Sequence, residues 1–459
     1  MNRKLVIAVL AIGSLIGVYF SAVWLFETLL LPPAQSALAD PEHLRIGEAF
    51  LDDLDAGRFE DALARGTPEL QEALAGGKLK EVWEALPAQL GARASRSALR
   101  GESVSGTPVV TSTLTFGLVA LDARIAVAPD GRISGFRLVP AKSDAPAPAA
   151  APAPVSNERF SEVELPVGEG DAALGGKLTL PRGEGPFPAV VLVHGSGPHD
   201  RDETIGPNHP FRDIAHALGE RGVAVLRYDK RSKAHPQAFA SGDFTVDDET
   251  VDDAVRAVSL LRAAPRIDPQ RVFLAGHSLG AMMAPRIAQR APDLAGLILL
   301  AAPARPLHDI VVEQVRYLAE LDGEVGSHEQ AEIDAMAVKA SAVASLSGDV
   351  PAADTLLGLP ARYWIDLRDY DPVAVAATLT QPILLVQGGR DYQVSVDGDF
   401  ARWHAAFDGD ARVQFALHPA LNHLMIAGEG PSGPAEYATA GRVDEAVIDD
   451  IATFVGGGP

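Results

Sequence analysis

The chain has 459 residues, 47% of them hydrophobic and 22% charged, a balance that is typical of folded domains and excludes wholesale disorder. Its formal net charge of −22 argues against nucleic acid as a partner, because phosphate binding needs clustered Lys and Arg. The chain contains no cysteine, which excludes disulfides, thiolate zinc sites and cysteine nucleophiles.

The N-terminal segment is first basic and then apolar. Arg3 and Lys4 precede residues 5–26, which carry no charge and are mostly apolar. About 20 apolar residues can cross a bilayer as a helix, whereas Ala37-Leu38-Ala39 fits a signal-peptide cleavage site. We expect residues 1–39 to be a transmembrane anchor or a signal peptide, with a buried core helix as the remaining alternative. In the first two cases the rest of the chain is exported to the periplasm or another extracytoplasmic space, and only this segment contacts a membrane.

Residues 40–139 have the pattern of a small α+β domain. Leu44, Phe50 and Leu54 recur at helical spacing, and residues 109–128 are rich in the β-branched and apolar residues of strands. Pro129-Asp130-Gly131 predicts a turn into a further strand. We find no catalytic cluster in this domain, and its role stays open.

The composition changes at residues 140–157, whose sequence is PAKSDAPAPAAAPAPVSN. A stretch of Ala and Pro cannot bury a core and favours an extended, semi-rigid conformation. We therefore predict a linker here, followed by a separate domain over residues 158–459.

Short apolar runs and helical patterns alternate in this second domain. The runs cover residues 189–193, 223–226, 272–275, 297–300, 383–386 and 413–417. Runs without polar alternation are typical of parallel strands buried on both faces. The pattern predicts an α/β fold with a mostly parallel, doubly wound sheet. Residues 303–376 lack such a run, have helical patterns, and are predicted to be a helical cap inserted over the active edge of the sheet.

The sequence Gly276-His277-Ser278-Leu279-Gly280 follows a predicted strand and precedes a predicted helix. In this context G-x-S-x-G is the nucleophile elbow, a strained turn whose flanking glycines allow close packing and expose the serine hydroxyl. We interpret Ser278 as the nucleophile.

A serine nucleophile needs a base and a carboxylate that orients the base, and after such an elbow these follow in the order acid, then histidine. Asp391 comes directly after the predicted strand 383–386, and His423 lies in the loop after strand 413–417. We interpret them as acid and base, with Asp397 and Asp399 as fallback acids. His418 is the competing base, but its place at a strand end favours a structural role.

The loop VHGSGP after strand 189–193 is suited to stabilise a developing negative charge through free backbone N–H groups. We expect one oxyanion donor from Ser196 or Gly195 and the other from Leu279. The polar residues 199–203 and 229–231 either contact a polar substrate group or form ion pairs that hold the loops. We expect no metal and no other cofactor, although His194, His199 and Asp200 lie close in sequence.

The stretches HGSGPHDRDETIGPN, VLRYDKRS, GHSLGAMMAPRIA, QGGRDYQV and LNHLM carry a resemblance to a known group of enzymes. Over residues 158–459 the chain resembles the α/β-hydrolase superfamily, and within it bacterial serine esterases and serine-aminopeptidase-like hydrolases. An N-terminal α+β module ahead of such a domain resembles an arrangement found in exported bacterial hydrolases. The resemblance implies an α/β-hydrolase fold and a Ser-His-Asp triad.

The leading hypothesis is a carboxylic-ester hydrolase that acts on small-molecule esters through an acyl-enzyme. A serine peptidase or a thioesterase with the same triad is the alternative, because substrate choice lies in the pocket and not in the triad. A non-catalytic envelope binding protein would belong to a different class, and the intact triad argues against it. The sequence leaves the oligomeric state open.

Overall fold

The computed structural model describes residues 41–457, except for several short segments. These segments are residues 75, 81, 84–85, 87–92, 105–106, 117–118, 141–156, 240–241, 322, 348–354 and 357–358. The described residues form two compact units, one before and one after residues 141–156. The predicted N-terminal segment and most of the predicted linker lie outside the described residues. No helix in the described part of the chain is long and apolar enough to cross a membrane.

The first unit is an α+β module, as its sequence predicts. It contains helices α1 (Pro41–Asp55), α2 (Phe59–Ala64) and α3 (Pro68–Ala73), and strands β1 (Arg93–Arg96), β2 (Arg100–Val104), β3 (Thr107–Phe116), β4 (Val119–Val127) and β5 (Ile133–Pro140). The strands pair antiparallel in the order β1-β3-β4-β5, and β2 also pairs with β3. Residues 109–128 thus form two strands of a hairpin. Phe50, Leu51 and Leu54 of α1 are buried with Leu114 and Ile125 of the sheet, which places the apolar face of α1 in the core.

The second unit is built on an eight-stranded sheet in the order β15-β14-β11-β10-β8-β9-β7-β6. The strands are β6 (Phe160–Glu164), β7 (Gly176–Pro181), β8 (Phe187–Val193), β9 (Ala224–Tyr228), β10 (Ile267–His277), β11 (Gly296–Leu300), β14 (Ile383–Gly388) and β15 (Val413–His418). The six strands predicted from apolar runs are all parallel neighbours. The sequence did not indicate β6 and β7, which add an antiparallel edge.

Helices cover both faces of this sheet. They are α4 (Pro210–Glu220), α5 (Arg231–Ala234), α6 (Asp252–Arg262), α7 (Leu279–Arg290), α12 (Ala401–Ala406) and α13 (Glu445–Gly456). Alternate residues of β8 face the two layers: Val191 and Val193 belong to one core cluster, and Val190 and Leu192 to the other. Burial on both faces explains why the strands have no polar alternation.

The insertion between β11 and β14 is mainly helical, as predicted. It contains α8 (Leu307–Ala319), α9 (Ser327–Ala344), α10 (Ala361–Arg368), α11 (Pro372–Ala376) and a two-stranded ribbon of β12 (Thr355–Leu356) and β13 (Leu359–Pro360). Tyr363 and Trp364 of α10 are buried in the same core cluster as Val191 and Val193 of β8. The insertion is therefore packed into the core of the unit at α10.

Candidate active site

Ser278 lies in the turn between β10 and α7, with backbone angles φ 53° and ψ −117°. A non-glycine residue with positive φ is strained and persists only where its surroundings determine it. The two glycines that flank Ser278 let the backbone of the turn pack closely against its neighbours. A Cβ on Gly276 would lie 2.2 Å from the Gly280 carbonyl oxygen, and a Cβ on Gly280 would lie 2.2 Å from that of Val193. Only glycine fits at either position, as the elbow interpretation requires.

Asp391 and His423 form a buried pair at the ends of β14 and β15. The Nδ1 atom of His423 is 2.8 Å from Oδ2 of Asp391, and both side chains are almost fully buried. Because an ionised carboxylate can only accept, Nδ1 carries the proton in this contact. The tautomer leaves Nε2 of His423 free to accept a proton from a nucleophile.

The carboxylate of Asp391 is held by a full set of donors. Its Oδ1 atom accepts from the backbone N–H groups of Gln393, at 2.8 Å, and Val394, at 3.0 Å. Its Oδ2 atom accepts from Nε2 of Gln387 at 3.3 Å as well as from His423. Gln387 was not singled out in the sequence, since a glutamine within an apolar strand carries no specific signal.

The competing residues have other partners or are exposed. His418 pairs with Asp450 of α13 at 2.8 Å. Asp399 is buried and accepts from the backbone N–H of Ala304, while Asp397 is exposed. Neither fallback acid pairs with His423.

The structure brings Ser278, His423 and the loop after β8 to one edge of the sheet. His277, the residue before Ser278, has its Nε2 atom 2.9 Å from the carbonyl oxygen of His423. The loop after β8 also lies close to Ser278, since a Cβ added to Gly195 of this loop would lie 3.2 Å from Cβ of Ser278. This is the carboxyl edge of the parallel strands, where active sites of open α/β sheets lie.

The loop after β8 is fixed by three polar contacts. The N–H of Gly195 donates to Oε1 of Glu203 at 2.7 Å. The carbonyl of Gly195 accepts from Nζ of Lys230 at 2.8 Å. The carbonyl of Ser196 accepts from Nε2 of His199 at 2.7 Å. Because the N–H of Gly195 is already engaged, this contact favours Ser196 of the two predicted donors. In the described part of the chain, the N–H groups of Ser196 and Leu279 donate to no acceptor.

Glu203 is a fully buried carboxylate that the sequence placed only in a general polar cluster. Its Oε2 atom is 3.1 Å from Nδ1 of His277, an ion pair with poor hydrogen-bond alignment. Burial by itself would raise the pKa of Glu203, but His277 and the other nearby histidines together outweigh burial and lower this pKa to about 2. Conversely, burial would lower the pKa of His277, and Glu203 raises it above its usual value. Glu203 thus connects the loop after β8 to the residue beside Ser278.

A second carboxylate ties together the loops that carry Asp391 and His423. Glu436 forms an ion pair with Arg390, the residue before Asp391. It also accepts from Nδ2 of Asn422, the residue before His423, at 3.0 Å. These contacts tie the two loops to each other. No sequence pattern indicated them, because Glu436 lies in a short 3₁₀ helix outside any motif.

The other conspicuous polar residues after β8 and β9 are engaged in ion pairs. Arg201 pairs with Asp229 at 2.8 Å, and Arg227 pairs with Asp202 at 2.7 Å. Of the two interpretations that the sequence left open, these contacts favour the one in which the residues hold the loops. Burial lowers the pKa of His194 to about 3, so this histidine is neutral. Within the described residues we find no group of three or more His, Cys, Asp or Glu side chains that could hold a metal ion.

Comparison with known proteins finds a matching family model and a relative of similar sequence. Residues 185–429, more than half of the chain, match the model of the serine aminopeptidase family S33. The chain is also 38% identical over 409 residues to Esterase EstD of Thermotoga maritima, an alignment that covers 88% of this chain and 93% of the relative.

The similarity to solved structures is weaker. Est1E from Butyrivibrio proteoclasticus is 18% identical with a TM-score of 0.39, and the match covers 64% of this chain and 99% of that one. The acylaminoacyl peptidase of Pyrococcus horikoshii is 15% identical with a TM-score of 0.41, covering 72% of this chain and 52% of that one.

Proposed function

This chain belongs to the serine aminopeptidase family of α/β hydrolases, and from that premise we propose that it is a serine esterase acting on small carboxylic esters. In this proposal Ser278 is the nucleophile, His423 the base and Asp391 the acid. The observation that carries it is the buried Asp391–His423 pair, 2.8 Å apart, beside a strained serine turn.

The reaction proceeds in two halves. His423 takes the proton of the Ser278 hydroxyl as its oxygen bonds to the ester carbonyl carbon, and the N–H groups of Ser196 and Leu279 stabilise the resulting oxyanion. The bond to the alcohol oxygen then breaks, and His423 returns the proton to the departing alcohol. Water attacks the acyl-enzyme in the same way, giving the free acid and restoring Ser278.

Three observations support ester over peptide substrates. A relative that is 38% identical over most of its length is named an esterase. An aminopeptidase needs a carboxylate for the amino group of its substrate, and the nearby acids Asp202 and Glu203 are engaged with Arg227 and His277. The third acid, Asp200, is also engaged, because it accepts from the backbone N–H of Thr204 at 3.0 Å and from the Thr204 hydroxyl at 2.8 Å.

The inserted helices are the proposed determinant of acyl specificity. Tyr317 of α8 stacks on Tyr392, with ring centroids 5.2 Å apart, and Gln314 of α8 donates to the Gln393 carbonyl at 2.9 Å. Both partners follow Asp391 directly, so α8 adjoins the loop that carries the acid. A change in α8 should therefore affect the choice of acyl group.

The test compares p-nitrophenyl acetate and butyrate with acetyl thioesters and aminoacyl p-nitroanilides, using wild type and Ser278→Ala. We expect turnover of the oxygen esters that is lost in Ser278→Ala, and little cleavage of the anilides. An anilide cleaved with comparable kcat/KM, again dependent on Ser278, would assign the chain to the peptidases. Preferred turnover of a thioester would assign it to the thioesterases.

A further inference from the structure

Lys230 is a buried lysine beside the loop that carries the proposed oxyanion donor. It follows β9, its side chain is 2% exposed, and its ammonium donates to the Gly195 carbonyl at 2.8 Å. A lysine is rarely so buried unless its charge has partners. Among the described hydrogen bonds and ion pairs of Lys230, none is to Ser278, Asp391 or His423.

This contact fixes the direction of one particular N–H group. The peptide bond between Gly195 and Ser196 is planar and trans, so the Gly195 carbonyl and the Ser196 N–H point in opposite directions. A cation on the carbonyl therefore restrains the direction of the Ser196 N–H, which is the proposed oxyanion donor. It also withdraws electron density from the peptide, which strengthens the N–H as a donor.

Lys230 is in turn held by Glu249. Its Nζ atom is 3.3 Å from Oε1 of Glu249, which also accepts from the Ser232 hydroxyl at 2.8 Å. Glu249 lies in the helical turn just before α6, and its side chain is 1% exposed.

The same carboxylate reaches the inserted helices. Oε2 of Glu249 accepts from the hydroxyl of Tyr363 in α10 at 2.9 Å. Burial and the charge of Glu249 raise the pKa of Tyr363 well above its usual value, so the phenol stays protonated and remains a donor. A continuous buried path therefore runs from α10 through Glu249 and Lys230 to the Gly195–Ser196 peptide.

We propose that Lys230 is a positioning residue for the oxyanion donor of Ser196, and that Glu249 and Tyr363 make this position dependent on the inserted helix α10. This inference rests on the proposed function, in which the Ser196 N–H stabilises the oxyanion.

The first test removes the charge and leaves an unbranched side chain that is one atom shorter, in Lys230→Met. Lys177→Met is the matched control, because Lys177 is also a buried lysine, 9% exposed, paired with a carboxylate at 3.5 Å. Removal of one oxyanion donor lowers kcat by about 10²- to 10³-fold, so misplacement of a donor should cost about 10- to 100-fold. We expect that fall in kcat on p-nitrophenyl acetate, with little change in KM. The affinity for a trifluoromethyl ketone, whose adduct mimics the oxyanion, should fall in parallel with kcat/KM.

The second test removes a single hydroxyl group, in Tyr363→Phe. Tyr370→Phe is its control, because the Tyr370 hydroxyl donates to the Met282 carbonyl at 3.0 Å and does not contact Glu249. We expect Tyr363→Phe to lower kcat and the affinity for the trifluoromethyl ketone by about three- to tenfold, with no such effect in Tyr370→Phe.

The outcomes separate this inference from the proposed function. Ester turnover that persists in Ser278→Ala would contradict the proposed function itself. If turnover depends on Ser278, while folded Lys230→Met binds the trifluoromethyl ketone like wild type, the role of Lys230 is wrong. An equal loss in Lys177→Met would also overturn it, since the effect would then be general destabilisation. Should Lys230→Met fail to fold, Tyr363→Phe decides, and wild-type values in that variant would overturn the inference.

Discussion

The ring of His277 donates from Nε2 to the carbonyl oxygen of His423 across 2.9 Å, with ring centroids 4.7 Å apart. A carbonyl can only accept, so Nε2 of His277 carries the proton. His277 precedes the proposed nucleophile, and His423 is the proposed base. The contact therefore joins the strand that carries the serine to the loop that carries the base.

The ion pair between Glu203 and His277 should make the stability of the folded protein depend on pH in the acid range. Burial raises the pKa of Glu203, but His277 and the other nearby histidines more than compensate, so this pKa falls from 4.5 to about 2 in the folded protein. A depressed carboxyl pKa stabilises the folded state above pH 4.5, and this stabilisation is lost as the pH falls through about 2. We expect the Tm difference between wild type and Glu203→Gln to be constant from pH 6 to 5 and to shrink below pH 4.5. Thermal unfolding at half-unit intervals measures it, and a constant difference down to about pH 2.5 would show that the Glu203 charge adds no stability.

The two candidate bases should respond differently to the same substitution. His423→Asn should lower kcat on p-nitrophenyl acetate by about 10³-fold or more, because the serine loses its proton acceptor. His418→Asn should keep wild-type kcat, since His418 contacts Asp450 of α13. Comparable losses in both variants would contradict the assignment of the base.

The candidate acids provide a similar comparison. Asp391→Asn should lower kcat by about 10³- to 10⁴-fold with little change in Tm, because an amide at this position favours the wrong tautomer of His423. Asp399→Asn should lower Tm and leave kcat of the folded enzyme unchanged, because Asp399 holds Arg305 at 2.7 Å. Steady-state kinetics and calorimetry on both variants decide, and the reverse pattern would make Asp399 the acid.

The turn glycines should not tolerate a methyl group. In Gly280→Ala the new Cβ would approach the Val193 carbonyl oxygen to 2.2 Å, and relief of this overlap should cost about 1–3 kcal/mol or more of unfolding free energy. Activity should fall with it, because the turn that carries Ser278 must shift. Gly456→Ala is the control, since its Cβ would meet no atom within 4 Å. Urea unfolding measures both, and a Gly280→Ala variant as stable as this control would show that the turn adapts.

The features that could be predicted are those that leave a pattern in a short continuous stretch of sequence. The six parallel strands are continuous apolar runs because both of their faces are buried, and the proposed acid and base each lie in the loop after such a run. Strand β6 was missed because Phe160–Glu164 is short and half polar, as expected at an edge with one exposed face. The stretch 109–128 was not divided into β3 and β4, since its sequence is rich in strand residues throughout.

The contacts that hold the site could not be predicted in the same way. Glu249 and Tyr363 are 114 residues apart in sequence, and neither lies in a motif. Glu203 was noticed only as one of several polar residues, and whether it binds Gly195 or solvent depends on how its loop folds back. Such pairings are long-range and involve common residue types, so only the folded chain reveals them.

The central claim is that Ser278 is the nucleophile, and covalent labelling tests it most directly. A fluorophosphonate reacts with an activated serine, and mass spectrometry of the digested adduct identifies the modified residue. We predict a single adduct on the peptide that contains Ser278, formed in wild type, absent in Ser278→Ala, and strongly slowed in His423→Asn. An adduct on another residue, or equal labelling of Ser278→Ala, would contradict the account.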